Sequence, residues 1–319
     1  MEKILIIGAL GQDGTILSSI LPRDKYKIYG ICKEDSDKTK IEFHTKSFGT
    51  EFYYCDFTKS EKVNDLLSKI RPNIIVNFAG ITNVFNPWSD IDYMYLQNCQ
   101  IPLNILEYIK KFDKDIYFFQ ASSSLIYGRS ENPHINHLSS FDPLYPYGIT
   151  KLFSHNLVNE YRNTFDVKAS CGVFFNHESE YRGKNFLSKK VSKFVSEILK
   201  GNKTKIKLGN LTSQRDISHA KDFMDGVKFI IENKLNNDYI FSGCKLISMY
   251  DFVKMFFDTY NLNIENYLEK DSSLIRKYEP CVYGDNTKLL LEGWKPKYDL
   301  NILIKDMVEF ELQNKNIPY

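Results

Sequence analysis

Tyr147 and Lys151 stand four residues apart in Tyr147-Gly-Ile-Thr-Lys151, so on a helix both side chains leave the same face one turn apart. A free phenol, with a pKa of about 10, is a poor base at neutral pH. A nearby ammonium favours the phenolate and lowers that value, which turns the pair into an acid/base device for a sugar or alcohol hydroxyl. Lys151 is also placed to hydrogen-bond a nicotinamide ribose. Upstream, Ala121-Ser-Ser-Ser-Leu125 follows a β-rich run. A serine hydroxyl at that strand end lies where open α/β sheets bind ligands, and it can hydrogen-bond the reacting oxygen.

A second constellation sits at the N-terminus. Ile4-Leu-Ile-Ile-Gly8-Ala-Leu-Gly11-Gln-Asp-Gly14 places three glycines at three-residue spacing between a strand and a helix. Gly8 permits the tight turn, Gly11 lets the backbone approach a pyrophosphate, and Gly14 lets helix and strand pack closely. The helix N-terminus then faces the phosphates, with Gln12 and Asp13 inside the loop. At the end of the second strand, Cys32-Lys33-Glu34-Asp35 mixes base and acid. The acid favours the free ribose of NAD, while Lys33 keeps NADP open. Asp56-Phe57, after the third strand, is placed to hold the adenine edge; Asp56 as a helix cap is the competing reading.

These residues need a scaffold, and the chain order supplies one. Strands are predicted at Lys3–Ile7, Lys27–Cys32, Glu51–Cys55, Asn73–Asn77, Ile116–Ala121 and Ala169–Phe174. Helices are predicted between them, including one continuous helix over Tyr93–Lys110 and another over Gly148–Thr164. Repeated βα units predict a Rossmann-type, doubly wound parallel sheet. After about residue 175 the rhythm breaks, so the expectation is a cofactor domain over residues 1–175 and a smaller C-terminal substrate lobe over 176–319. A segment near 238–262 is expected to return to the sheet.

Composition narrows the partners. The 319 residues carry Lys+Arg 42 against Asp+Glu 40, a formal charge of +2, which argues against a nucleic-acid binder working by bulk attraction. No apolar segment approaches bilayer-spanning length. The six cysteines are scattered, which suits free thiols in a reducing cytoplasm more than zinc pairs or a disulfide framework. His134-Ile-Asn-His137 has a metal-like spacing but no third ligand nearby, so no metal is expected.

The glycine loop and the Ser, Tyr, Lys set resemble the extended short-chain dehydrogenase/reductases. More narrowly, the chain is similar to GDP-mannose 4,6-dehydratases in Gly11-Gln-Asp-Gly14, Gln120–Gly128, Pro146-Tyr147, Phe175-Asn-His-Glu-Ser179, Arg182-Gly-Lys-Asn-Phe186, Gly209-Asn-Leu211, Arg215-Asp216, His219-Ala-Lys-Asp222 and Gly293-Trp-Lys-Pro296. The resemblance implies that the second half binds a GDP-sugar. It carries nucleotide-sugar contacts onto Asn176, Asn185, Lys190, Arg215, Arg276 and Glu279, and the active-site hydroxyl onto Ser123. It also implies a homodimer, or a tetramer, built on the helices Tyr93–Lys110 and Gly148–Thr164.

One position departs from the family. Where those dehydratases read Ala-Ser-Thr-Ser-Glu, this chain reads Ala121-Ser-Ser-Ser-Leu125. The family's Glu removes the C5 proton and delivers one to the departing C6 hydroxyl, and leucine does neither. The expected activity is therefore oxidation at C4 of a GDP-linked hexose or heptose, of the GDP-mannose or GDP-manno-heptose type, without dehydration. A 4-keto-sugar reductase or 4-epimerase uses the same residues. A non-catalytic nucleotide-sugar-binding protein is the alternative of another class, and intact Tyr147 and Lys151 argue against it.

Overall fold

The computed structural model describes residues 1–82, 88–202, 204–209, 211–270, 281–313 and 319. Seven short runs, β1 (Glu2–Ile7), β2 (Tyr26–Cys32), β3 (Glu51–Tyr54), β4 (Ile74–Asn77), β5 (Tyr117–Ser123), β6 (Ala169–Phe174) and β7 (Asp238–Phe241), form one parallel sheet in the order β7-β6-β5-β4-β1-β2-β3. The fold is thus the expected Rossmann-type α/β sheet. β1 shows why it holds together. Ile4 and Ile6 enter the core on one face, while Leu5 and Ile7 enter the other, because strand side chains alternate. A strand buried on both faces can be apolar throughout.

On the first face lie α1 (Gln12–Ile20) and α7 (Ala220–Glu232), which pack together over the sheet, with Phe223, Val227 and Ile230 fully buried. The exposed helix α2 (Lys38–Phe48) flanks α1. On the second face lie α3 (Ser60–Ile70), α4 (Ile101–Phe112) and α5 (Tyr145–Phe165). The continuous helix expected over Tyr93–Lys110 is instead three pieces: Ile91–Tyr95, a π-helical turn over Leu96–Gln100, and α4. Pro102 is the physical reason. It has no N–H to give residue 98, and its ring crowds that carbonyl, so the helix widens ahead of it.

Beyond the sheet, α6 (Leu187–Leu199), α8 (Met249–Asp258) and α9 (Leu300–Leu312) share a separate core around Val195, Phe252, Phe256 and Met307. Strand β7 lies at the sheet edge beside β6, whereas α8, close behind it in sequence, packs in this lobe. Two short strands tie lobe to sheet. Asn176–Glu178 follows β6 after one residue and pairs in parallel with Ile217–His219, which leads directly into α7.

Candidate active site

The strand order reverses between β1 and β4, and the loops that leave their C-terminal ends face each other there. Gly8 has φ +85°, and a Cβ on it would come within 2.8 Å of the Ala79 backbone nitrogen. A Cβ on Gly14 would sit 2.5 Å from the Gly8 carbonyl oxygen, so the helix can start this close to the strand only with glycine. At Gly11 a Cβ would meet just the Gly8 oxygen, at 3.3 Å, and the residue is exposed. This is the surface a pyrophosphate can approach, at the N-terminus of α1.

Across the switch point, α5 carries Tyr147 and Lys151, the pair expected from the sequence to act as acid and base. Tyr145 holds φ +62° and Pro146 follows it, which starts the helix abruptly and brings Tyr147 into its first turn. Contrary to the expected lowering by Lys151, burial pushes the Tyr147 phenol up to about 12; a hydrogen bond from Ser123 and the charge of Arg182 pull the other way. Ser123 Oγ accepts the Leu125 N–H at 3.3 Å, which leaves its own proton free to donate toward the phenol or a substrate oxygen. Lys151 Nζ donates to the Ala121 carbonyl at 2.9 Å and lies 5.9 Å from the Tyr147 ring centroid. Burial pushes this ammonium down to about 8.

Leu125 keeps the backbone role of its position. Its carbonyl accepts from Leu144 at 3.2 Å and from Gly128 at 3.3 Å, and a Cβ on Gly148 would come within 2.6 Å of the same oxygen. The frame around this position is therefore built, and what it presents is an isobutyl group. Among the described residues, the carboxylate whose charge bears on Tyr147 is that of Asp13. It is engaged with His177 Nε2 at 3.0 Å and Gln12 Nε2 at 3.2 Å.

Lys33 lies at the exit of β2, where it donates to the Tyr93 hydroxyl at 2.6 Å and to Gln97 Oε1 at 2.9 Å. Asp56 Oδ1 accepts from the Thr58 N–H and hydroxyl at 3.0 and 2.7 Å, just ahead of α3, and the Phe57 ring is buried in the core. The residues expected to contact a nucleotide sugar are spread over the lobe. Asn176 Nδ2 donates to the Asp216 carbonyl at 3.1 Å, next to Arg215 in the strand Gln214–Arg215. Asn185 is exposed ahead of α6, and Lys190 on α6 lines a groove of about 500 Å³ with Lys193, Phe194, Ile206 and Lys207. Arg276 and Glu279 lie outside the described residues.

Three contributors escape a reading of spacing alone. Asn98 Oδ1 accepts the Ile81 N–H at 2.8 Å and its Nδ2 donates to Thr150 Oγ1 at 3.0 Å, tying the loop after β4 to α5. Gly80 leaves space beside Lys151, since a Cβ there would meet Nζ at 3.5 Å. Arg182 stacks on Phe186 at 3.6 Å, lies 3.0 Å from Glu178 and turns its charge toward Tyr147, Asp13 and His177. Only Arg182 had a visible signal, inside the Arg182–Phe186 stretch. His134, at 3.9 Å from Asp285, and stacked on Tyr283, joins no metal-binding group; among the described residues no cluster of three ligating side chains occurs.

Glycine cradle, switch point and the Ser123, Tyr147 and Lys151 arrangement fit an extended short-chain dehydrogenase/reductase of the nucleotide-sugar dehydratase type. A family model described as GDP-mannose 4,6 dehydratase matches residues 5–307, and the chain belongs to that family. It is 28% identical to a GDP-mannose 4,6 dehydratase of Drosophila melanogaster over 98% of this chain and 87% of the relative. The human GDP-mannose 4,6 dehydratase is 27% identical over 97% and 91%. Among solved structures, dTDP-glucose 4,6-dehydratase of Bacillus anthracis in complex with NAD superposes with TM-score 0.84, 17% identity and coverage of 99% and 98%. UDP-glucose 4-epimerase of Bifidobacterium longum, in complex with NAD+ and UDP, gives 0.84, 19% and 99% of both chains.

Proposed function

We propose that the protein oxidises C4 of a GDP-linked sugar, of the GDP-mannose or GDP-manno-heptose type, to the 4-keto sugar and leaves the C6 hydroxyl in place. The observation that carries this reading is Leu125, an apolar side chain on an intact backbone frame, with Asp13 already committed to His177. NAD(P) at the glycine cradle, through Gly8, Gly11, Gln12, Asp13, Gly14 and Lys33, supplies the hydride acceptor. Tyr147 takes the C4 hydroxyl proton, Ser123 donates to the same oxygen, and Lys151 supplies positive charge and a ribose contact. Asn176, Asn185, Lys190, Arg215, Arg276 and Glu279 hold the GDP-sugar, with lysine and arginine matched to a diphosphate. Elimination needs a base at C5 and an acid at C6, and Leu125 offers neither.

Solved relatives with NAD bound support NAD, and Lys33 accommodates NADP. Unpaired thiols at all six cysteines suit a cytoplasmic location. Exposed Tyr95, Leu96, Ile149 and Phe153 on neighbouring helices suit a homodimer face. The test is to incubate the pure protein with GDP-sugars and NAD(P) and weigh the products. A product lighter by two hydrogens supports oxidation, and one lighter by a water overturns it. Supplying the 4-keto sugar with NAD(P)H reads the reverse direction, since the same residues carry both.

A further inference from the structure

The glycine loop and the sugar lobe touch through polar side chains. Gln12 Nε2 donates to the His177 carbonyl at 3.2 Å, and Ser179 Oγ donates to Gln12 Oε1 at 2.9 Å. His177 Nε2 lies 3.0 Å from Asp13 Oδ1, while its Nδ1 lies 2.8 Å from the Phe175 carbonyl oxygen. Both ring nitrogens thus face oxygens that only accept, which calls for a proton on each and makes the ring a cation. Burial pushes His177 down, but the Asp13 charge and hydrogen bond carry it above its ordinary value. Burial pushes Asp13 up, and the same partner, with Gln12, holds it below. The ring is wedged at 4.8 Å from Phe223 and 5.3 Å from Phe174.

The charges have a consequence for ligands. Asp13 is the second residue of α1, at the end a pyrophosphate approaches. Alone, its carboxylate would repel that anion, and in this fold the neutralising cation comes from the other side, on the strand Asn176–Glu178. Asn176 precedes His177 and reaches the carbonyl of Asp216, next to Arg215. One run of direct contacts therefore joins the dinucleotide end of α1 to two residues read as nucleotide-sugar contacts.

We propose that Gln12, Asp13 and His177 act as positioning residues that couple the two ligand sites, so that each ligand binds more tightly when the other is present. This rests on the two-ligand reading above. An anion at α1 strengthens the demand for His177 beside Asp13, which fixes Asn176; a ligand gripping Asn176 and Arg215 holds His177 in place. Linkage requires the two effects to be equal.

The test titrates NADPH and NADH into the full-length protein by nicotinamide fluorescence, with and without saturating GDP. In the wild type GDP is expected to tighten the dinucleotide by about fivefold or more, and the dinucleotide to tighten GDP by the same factor. His177→Gln and Asp13→Asn are each expected to bring that factor to about one, and the double variant to add nothing further. Gln12→Ala, which leaves the buried charges alone, reads the same coupling if either charge variant fails to fold by circular dichroism, and is expected to reduce the factor. A factor near one in the wild type, or an unchanged factor in the variants, overturns the coupling while leaving dinucleotide binding intact. A wild type that binds no dinucleotide overturns the two-ligand reading as well.

Discussion

Lys151 gives its proton donor to the Ala121 carbonyl at 2.9 Å and keeps its ammonium 5.9 Å from the Tyr147 ring centroid, so the two residues share a buried pocket without a direct bond between their functional groups. The cation is held ready rather than neutralised. That readiness carries a cost, because burial pushes Lys151 down to about 8 from its usual 10.5.

Lys151→Met is therefore expected to stabilise the protein while abolishing turnover. Between the folded value of about 8 and the unfolded 10.5, the unfolded chain holds a proton the native state lacks, so wild-type stability rises with pH across that window. Below it the penalty is complete, and removing the charge recovers up to roughly 3 kcal/mol. The Ala121 carbonyl keeps its bond from Gln120 Nε2 at 2.8 Å. Urea denaturation at pH 7 and pH 9.5 measures this. A less stable Lys151→Met at pH 7 contradicts it.

In the proposed reaction, the proton on Tyr147 sets the pH dependence of each direction. With the phenol pushed up to about 12, little phenolate exists at neutral pH. The oxidation rate, which needs the phenolate, should climb as pH rises from 7 to 9, while the reverse reduction, whose phenol stays protonated throughout that range, should stay nearly flat. Tyr147→Phe should lower kcat about 100- to 10,000-fold in both directions with the fold unchanged. Profiles of kcat/KM against pH in each direction decide the matter.

Leu125→Glu places an acid on a backbone already held by Ser123, Leu144 and Gly128. The variant is expected to yield a dehydrated 4-keto sugar that the wild type does not form, seen by mass spectrometry as the loss of one water. Leu125→Ala, a control with no acid, should still yield the simple ketone.

Lys33 hydrogen-bonds two neutral partners, Tyr93 and Gln97, and its charge also bears on Asp56; in the proposed site it faces the ribose end of the cradle. Lys33→Ala should weaken NADPH about tenfold or more, the worth of one charge-assisted hydrogen bond, and leave NADH nearly unchanged. Equal losses for both dinucleotides would remove Lys33 from cofactor choice.

Ile149 and Phe153 are one turn apart on α5 and 55% and 41% exposed, beside Tyr95 and Leu96 at 48% and 40%. Phe153→Asp should convert a dimer of this chain to monomers, read by light scattering, with the melting temperature of the subunit little altered.

The sheet was legible because its inner strands are short apolar runs buried on both faces, and β1 through β6 fall where the apolar runs stand, the half-exposed edge strand β3 among them. The helix α7 carries Phe223, Met224, Val227, Ile230 and Ile231 at helical spacing and could have been found the same way. By contrast, α2 buries only His44 and Phe48, too thin a stripe to announce itself. In the site, Tyr147 and Lys151 declare themselves because four residues make one helical turn. Asp13 and His177 are separated by 164 positions, and nothing local in either segment signals that they meet.

Finally, the sheet edge and the cover over α1 both come late in the chain. Until Ala220–Glu232 and Asp238–Phe241 leave the ribosome, β6 has an open edge, and Ile16, Leu17, Phe119 and Phe174 lack part of the core that encloses them. The first six strands therefore make no finished folding unit during synthesis. A nascent chain paused in that interval presents an unpaired strand and bare apolar surface, the features that recruit chaperones or seed aggregation. Truncations ending near residue 175 should collect in inclusion bodies rather than yield a free-standing dinucleotide-binding fragment.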